Sequence, residues 1–179
     1  MDSKLLQLND FIMNKKILSL REHYDFQDRT GSKFGEGDGN FIQFPAKFDV
    51  IDLGGSKLMS IEGKLISLRH EFTFHDNMGQ QIGAIKKKLL KLIGEEYWVE
   101  QNGKEFMRIY GNFTEHDYKF EMNKQLVAFV HKKWISIRDS FCVSITGNVD
   151  HRLIIGAAIV IEHVEVREDS SHHLGPHFP

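Results

Sequence analysis

A single cysteine, Cys142, serves 179 residues, so no disulfide framework can hold this chain together, and a reducing cytoplasm suits it. Positive charge is not in excess: the formal net charge is −2, which argues against a general nucleic-acid binder. Long hydrophobic runs are missing too. The longest apolar stretch, Leu153 to Ile161, is nine residues, against the roughly 20 that a membrane-spanning helix needs. The start Met1-Asp2-Ser3-Lys4 has no basic segment followed by an apolar one and no glycine for myristoylation, and the end has no prenylation box. A cytoplasmic protein is expected, with any membrane contact peripheral. Catalytic motifs are equally scarce: no G-x-S-x-G elbow, no phosphate-cradling loop and no H-E-x-x-H. An enzyme is not expected, nor is a cofactor.

What the chain has is repetition. Lys16-Ile17-Leu18-Ser19-Leu20-Arg21, with Tyr24-Asp25-Phe26, returns as Lys64-Leu65-Ile66-Ser67-Leu68-Arg69 with Phe72-Thr73-Phe74. It returns again as Lys133-Trp134-Ile135-Ser136-Ile137-Arg138 with Phe141-Cys142-Val143. Weaker copies open at Asn40, Lys88 and Asn112, most of them in steps of 24 residues, giving two halves of three units. Fixed-period repetition sets architecture before local propensity does.

Within a unit the apolar residues alternate, as in Leu18, Leu20, Tyr24 and Phe26, which predicts a half-buried strand with Ser19 and Arg21 on the other face. Asn102-Gly103 is a strong hairpin signal, and Leu53 to Ser56, Asn77 to Gly79 and Met122 to Lys124 fill the same slot. Segment Gly31 to Asn40, with four glycines, is the weakest and reads as an irregular edge or a loop. An initial strand near Leu5 to Met13, two from each of five units and one from the sixth make twelve, and closing such a sheet removes its edges. A barrel that wide is not filled by its own side chains. The apolar stretch Leu153 to Ile161 is the candidate filling. Its β-branched residues favour a strand, and the need to fill the barrel favours a helix capped by Asp150. The helix is the preferred reading.

These units, ending in Lys132-Lys133-Trp134-Ile135-Ser136-Ile137-Arg138-Asp139-Ser140-Phe141-Cys142-Val143 and a terminal apolar segment, resemble the LURP-one-related family over about Leu5 to Val166. That resemblance implies a tubby C-terminal-like fold: mainly β, a twelve-stranded closed antiparallel barrel around a buried hydrophobic C-terminal helix. One domain is expected over 1–166, with its central helix at about 151–163 and a disordered tail at 167–179. Relatives on the fold include phosphoinositide-binding and phospholipid scramblase-type proteins, so the resemblance implies anionic phospholipid as the first ligand to consider. The expected function is a non-enzymatic binding or scaffold protein, and the alternative is a scramblase-like, membrane-active one.

Lys86, Lys87, Lys88 and Lys91, joined by Lys132 and Lys133 from the other half, are the candidate binding residues, because clustered lysines hold anionic head groups. The competing reading is a solvated strand junction, and alternation sends successive lysines to opposite faces. Arg21, Arg69 and Arg138 repeat around the barrel and are expected to be structural. The histidines His70, His75, His116, His131, His151 and His163 lack metal-site spacing, so no metal is expected. The acids in Gly35-Glu36-Gly37-Asp38-Gly39 would repel phosphate.

Overall fold

The computed structural model describes residues 3–18, 21–40, 46–66, 69–90, 94–132 and 140–172. After a single 3-10 turn at Lys4–Gln7 come the strands β1 (Asp10–Leu18), β2 (Arg21–Gln27), β3 (Lys33–Asn40) and β4 (Ala46–Asp52). Next are β5 (Lys57–Ile66), β6 (Arg69–Asp76), β7 (Gln81–Leu90) and β8 (Gly94–Gln101). The last are β9 (Lys104–Asn112), β10 (Asp117–Met122), β11 (Gln125–Lys132) and β12 (Ser140–Ile145), followed by the helix α1 (His151–His172). Each strand pairs antiparallel with its neighbour in sequence, and β1 pairs with β12 to close the barrel. No strand edge is left open.

The strand count matches the expectation, but the strands are cut differently. The repeated phrase was expected to lie along one strand; instead it straddles a reversal. Leu18 pairs with Arg21, Ile66 with Arg69 and Leu90 with Gly94. In β1 the odd positions face inward, in β2 the even ones, because Lys15 stands opposite Tyr24 and Met13 opposite Phe26. Leu18 and Tyr24 therefore do not share one strand, and Leu20 lies outside the described residues. The five unit openings among the described residues, Lys16, Asn40, Lys64, Lys88 and Asn112, fall at one end of the barrel, the corner end.

At the other end the turns repeat more exactly than the strands. Asp28, Asp52 and Asp76 each accept, through Oδ1, the N–H groups two and four residues on, at 2.8–2.9 Å. Gly31, Gly55 and Gly79 then take φ of +89°, +79° and +83°, a region that glycine enters without strain. The later turns Asn102-Gly103 and Asn123-Lys124 carry positive φ at both residues, as two-residue hairpins require. The register slips just after Phe26, Val50, Phe74, Val99 and Phe120, so an extra residue bends each of the first five units at the same place.

Two rings of inward side chains follow from this register. One is Phe26, Val50, Phe74, Val99, Phe120 and Val143, all fully buried. The other, two residues nearer the corner end, is Tyr24, Phe48, Phe72, Tyr97, Tyr118 and Phe141, none more than 5% exposed. Segment β3 is a regular strand, not the irregular edge expected of its glycines. Gly35, Gly37 and Gly39 face inward, and a Cβ on Gly37 would lie 2.5 Å from Phe48 Cε1. The glycines are there to let a neighbouring ring lie on the backbone.

α1 fills the barrel. Leu153, Ile154, Ile155, Ala157, Ala158, Ile159, Val160 and Ile161 are at most 1% exposed, and Gly156 brings the helix close to Met59 and Phe74. Helix prevails over β-branched propensity because every wall strand is already paired on both sides. A central strand would leave its own N–H and C=O groups unpaired, whereas a helix satisfies them internally. Asp150 caps the start, accepting the Arg152 N–H at 3.0 Å. The helix continues to His172, past the boundary at 163 expected from the sequence, so the first part of the segment expected to be a disordered tail is helical.

Candidate functional site: the polar mouth of the barrel

The helix enters from the turn end, and its wholly apolar part finishes at Ile161. Glu162, His163 and Glu165 come next, at 5%, 4% and 8% exposure, so the corner end of the lumen is buried but charged. Burial of charge is tolerated only where each group finds a partner, and the barrel wall supplies partners from several strands. Glu165 Oε1 accepts from Tyr97 OH at 2.5 Å and from Lys87 Nζ at 3.1 Å. His163 Nδ1 lies 2.7 Å from Glu22 Oε1. His116 Nδ1 lies 3.0 Å from Glu162 Oε2, close enough for charge pairing though not aligned as a hydrogen bond. Lys15 Nζ sits 3.6 Å from Glu22 Oε2 and 5.8 Å from the centre of the Tyr24 ring.

The wall positions obey the repeat. Opposite the aromatic ring Tyr24, Phe48, Phe72, Tyr97, Tyr118 and Phe141 stand Lys15, Gly39, Gly63, Lys87, Gly111 and Lys132. Each is the residue just before a unit opening. Lysine or glycine thus occupies the inward position on the rim in every unit. The three tyrosines mark the boundary between layers: their rings pack with the apolar ring, and their hydroxyls reach toward the charges. Phe113 packs edge-on against Tyr97 at 5.0 Å and tilted against Tyr118 at 5.3 Å. A cavity of about 290 Å³ opens beside them, lined by Gly111, Asn112, Phe113, Thr114 and Glu165.

Electrostatics at the mouth are mutual. Burial alone would push the Glu22 carboxyl up, but the hydrogen bond from His163 and the charge of Lys15 bring it below its ordinary value. Burial, reinforced by Glu22 and Glu162, holds the Tyr24 hydroxyl well above the usual phenol range. Burial, with Glu162 and Glu165, does the same for Tyr118. Both remain neutral. The Tyr118 hydroxyl and the Lys15 ammonium are buried with no hydrogen-bond partner among the described residues.

Of the lysines singled out by sequence, the three with described side chains, Lys86, Lys87 and Lys132, are not gathered into one patch. Lys86 faces outward and is bracketed by Glu100 at 2.7 Å and Glu71 at 3.8 Å. Its hydrogen bond to Glu100 raises its pKa. Lys87 faces the lumen. Lys132 is exposed at the end of β11, four strands from β7 around the barrel. Lys88 takes its register place on β7 opposite Glu96, while Lys91 and Lys133 lie outside the described residues. Arg21 pairs with Asp38 on the exterior, and Arg138 lies outside the described residues. Sequence reasoning missed Lys15, Glu22, Glu162, Glu165, and the roles of His116 and His163. The Lys/Gly pattern before each opening was the signal available for the wall residues.

His23, Asp25 and Glu36 bring three potential metal ligands together on the outer face of β2 and β3. Lysines already supply the positive charge there. Lys33 Nζ lies 2.6 Å from both Asp25 Oδ1 and Glu36 Oε2, and Lys16 also pairs with Asp25. Burial would raise the Asp25 pKa, but these cations and His23 hold it far below its ordinary value. The cluster is an ion-pair network.

The family model described as LURP-one-related matches residues 9–162. The fold is similar to the X-ray structure of a protein from Arabidopsis thaliana, with a TM-score of 0.60 at 14% identity. The alignment covers 92% of this chain and 96% of that one. Likeness at that identity carries the architecture only. Among curated proteins none matches the sequence.

Proposed function

The chain belongs to the LURP-one-related family, and from that premise we propose that it is a non-enzymatic binding protein whose ligand meets the polar mouth of the barrel. The ligand class that suits this mouth is an anionic phospholipid head group, contacted peripherally at a membrane surface. One observation supports this most. Lys132 stands exposed on the rim, in the same ring as Lys15, whose buried ammonium has no hydrogen-bond partner among the described residues. Lysines near a charged bilayer contribute about 1 kcal/mol each. By contrast, Lys86 is already held between two carboxylates, so the barrel exterior offers less. The described acids of the mouth are each in contact with a lysine or a histidine, an arrangement of mutual neutralisation and not of nucleophile and base.

Insertion of the central helix, as in a scramblase-like protein, has less support. No helix among the described residues is long and apolar enough to cross a membrane. Withdrawal would also expose Leu153 to Ile161, where each buried large apolar side chain is worth about 1.5–3 kcal/mol.

The test is co-sedimentation with vesicles of phosphatidylcholine alone and of phosphatidylcholine with phosphatidylserine. The expected result is salt-sensitive binding to the acidic vesicles, weakened on the order of thirty-fold by Lys132→Glu and far less by Lys86→Glu. Equal sedimentation with both vesicle types overturns the lipid reading.

A further inference from the structure

We infer that the turn end of the barrel carries a second site, distinct from the mouth, which takes a short neutral saccharide between β7, β8 and the start of α1.

The wall parts at this place, and the register shows how. Between β3 and β4 the ladder runs out to Gly35 and Asp52, and between β5 and β6 to Met59 and Asp76. The corresponding pair between β7 and β8 would be Gly83 and Gln101, but pairing stops one step earlier, at Ala84 and Glu100. There the Gln101 side chain stands in for the backbone, its Nε2 donating to the Ile82 carbonyl at 2.8 Å. Gly83 lets α1 close in on the wall, since a Cβ there would lie 2.9 Å from Leu153 Cδ2. A cavity of about 420 Å³ lies at the parting, lined by Gln80, Gln81, Ile82, Gln101, Asn102 and Asp150. That volume suits a small ligand, for which sites run to about 300–1,000 Å³.

The chemistry of the lining selects the ligand. Most of these side chains are amides, and an amide both donates and accepts, as a sugar hydroxyl does. The amides of Gln80, Gln81 and Asn102 have no hydrogen-bond partner among the described residues, so they are available to a ligand. The one carboxylate is already met: Asp150 accepts from Arg152 Nε at 3.0 and 3.1 Å and from Nη2 at 2.7 Å. Among the described residues no lysine lines the cavity, so an anion finds no countercharge, and a cation finds a carboxylate already paired. A ligand rich in hydroxyls and without charge fits this set best. The frame is also fixed in advance. Asn102 and Gly103 form a tight turn at φ +52° and +73°, and the Gln80 N–H is tied to Asp76 Oδ1 at 2.9 Å. Little backbone ordering is therefore lost on binding. Ile82 is the one apolar side chain in the lining, so affinity rests on a few net hydrogen bonds and is expected on the order of 1 mM.

The experiment follows the backbone and side-chain amide resonances of the intact, isotope-labelled chain by NMR. Maltose, cellobiose or N,N′-diacetylchitobiose is added up to about ten times that constant. Saturable shifts of the Gln80, Gln81 and Asn102 side-chain amides and of the Gly103 N–H are expected with at least one of these sugars. Gln81→Ala and Asn102→Gly, both checked by thermal unfolding, should each weaken binding about five- to ten-fold. Asn102→Gly keeps the turn, because glycine accepts its positive φ. Lys132→Gln, at the other end of the barrel, should leave sugar binding unchanged, so this site stands or falls apart from the mouth. Absence of saturable shifts with all of the sugars, or unchanged affinity in either cavity variant, overturns the proposal. Stronger binding of N-acetylglycylglycinamide than of any sugar also overturns it, by making the cavity a peptide site.

Discussion

Gly37→Ala adds one methyl group to a buried strand and should destabilise the protein. The ordinary expectation runs the other way, since replacing glycine by alanine where the backbone is compatible stabilises by about 0.4–1 kcal/mol. Here the new Cβ would lie 2.5 Å from Phe48 Cε1 and 2.8 Å from Cζ, with Phe26 Cε2 at 3.6 Å. Phe48 has nowhere to retreat: it is 1% exposed, packs edge-on against Tyr24 at 5.7 Å and also lies over Gly39. Overpacking of this kind costs about 1–3 kcal/mol, or roughly 2–4 °C of Tm per kcal/mol for a domain of this size. Truncating the ring by Phe48→Ala alone should cost about 3–5 kcal/mol. In the double variant the added methyl finds room, so the combined loss should be smaller than the sum by about 0.5–3 kcal/mol. Chemical denaturation of the four proteins measures this. A neutral or stabilising Gly37→Ala, or strict additivity with Phe48→Ala, would refute the account of β3 as a strand kept bare for its neighbour's ring.

Other outcomes test other layers. Tyr97→Phe should cost about 1.5–3 kcal/mol, because its hydroxyl donates to the buried Glu165 carboxylate, while Tyr118→Phe should be neutral or slightly stabilising, its hydroxyl having no described partner. Equal losses by urea denaturation would mean that something bonds Tyr118. Glu22 has a folded pKa below its ordinary value of 4.5, so the stability it contributes is present above that pH and drains as pH falls through the folded value. The stability gap between wild type and Glu22→Gln should therefore shrink between pH 5 and pH 3, and a constant gap would contradict the pairing with His163 and Lys15. Gly79→Ala meets open space but at φ +83°, so about 1–2 kcal/mol of backbone strain should appear in its unfolding free energy without any packing partner to relieve it. Ile159→Ala, in the middle of the plug, should lose about 2–5 kcal/mol in the same assay.

The sequence showed the barrel through its repeats. Alternation at Tyr24 and Phe26 or Phe72 and Phe74 marks inward faces, and an apolar stretch with no polar side had to lie inside. What alternation could not show was the change of strand by which Leu18 of β1 comes to pair with Arg21 of β2. A period of two continues across such a corner with its faces exchanged, and only pairing reveals the change. The glycines of β3 misled for a related reason: their role is set by Phe48 on the next strand. The site was half legible. A run of lysines is visible in sequence, but which of Lys86 and Lys87 faces the lumen depends on register. The partners Glu22 and His163 are 141 residues apart and meet only because the helix threads the barrel.

That threading has a consequence for how the chain comes to be folded. The wall closes between its first and last strands, Phe11 opposite Val143, yet the segment that fills it is made after both. A chain emerging from the ribosome can form its hairpins one by one, since each is local. It cannot complete a core until that helix has emerged, and by then twelve strands are waiting with their aromatic faces uncovered. Closure and filling must therefore occur together and late, with the longest-range contacts in the molecule among the last to form. Until the helix emerges, protection of those faces falls to chaperones or to speed, and a chain cut before His151 would lose the whole interior and not merely an end.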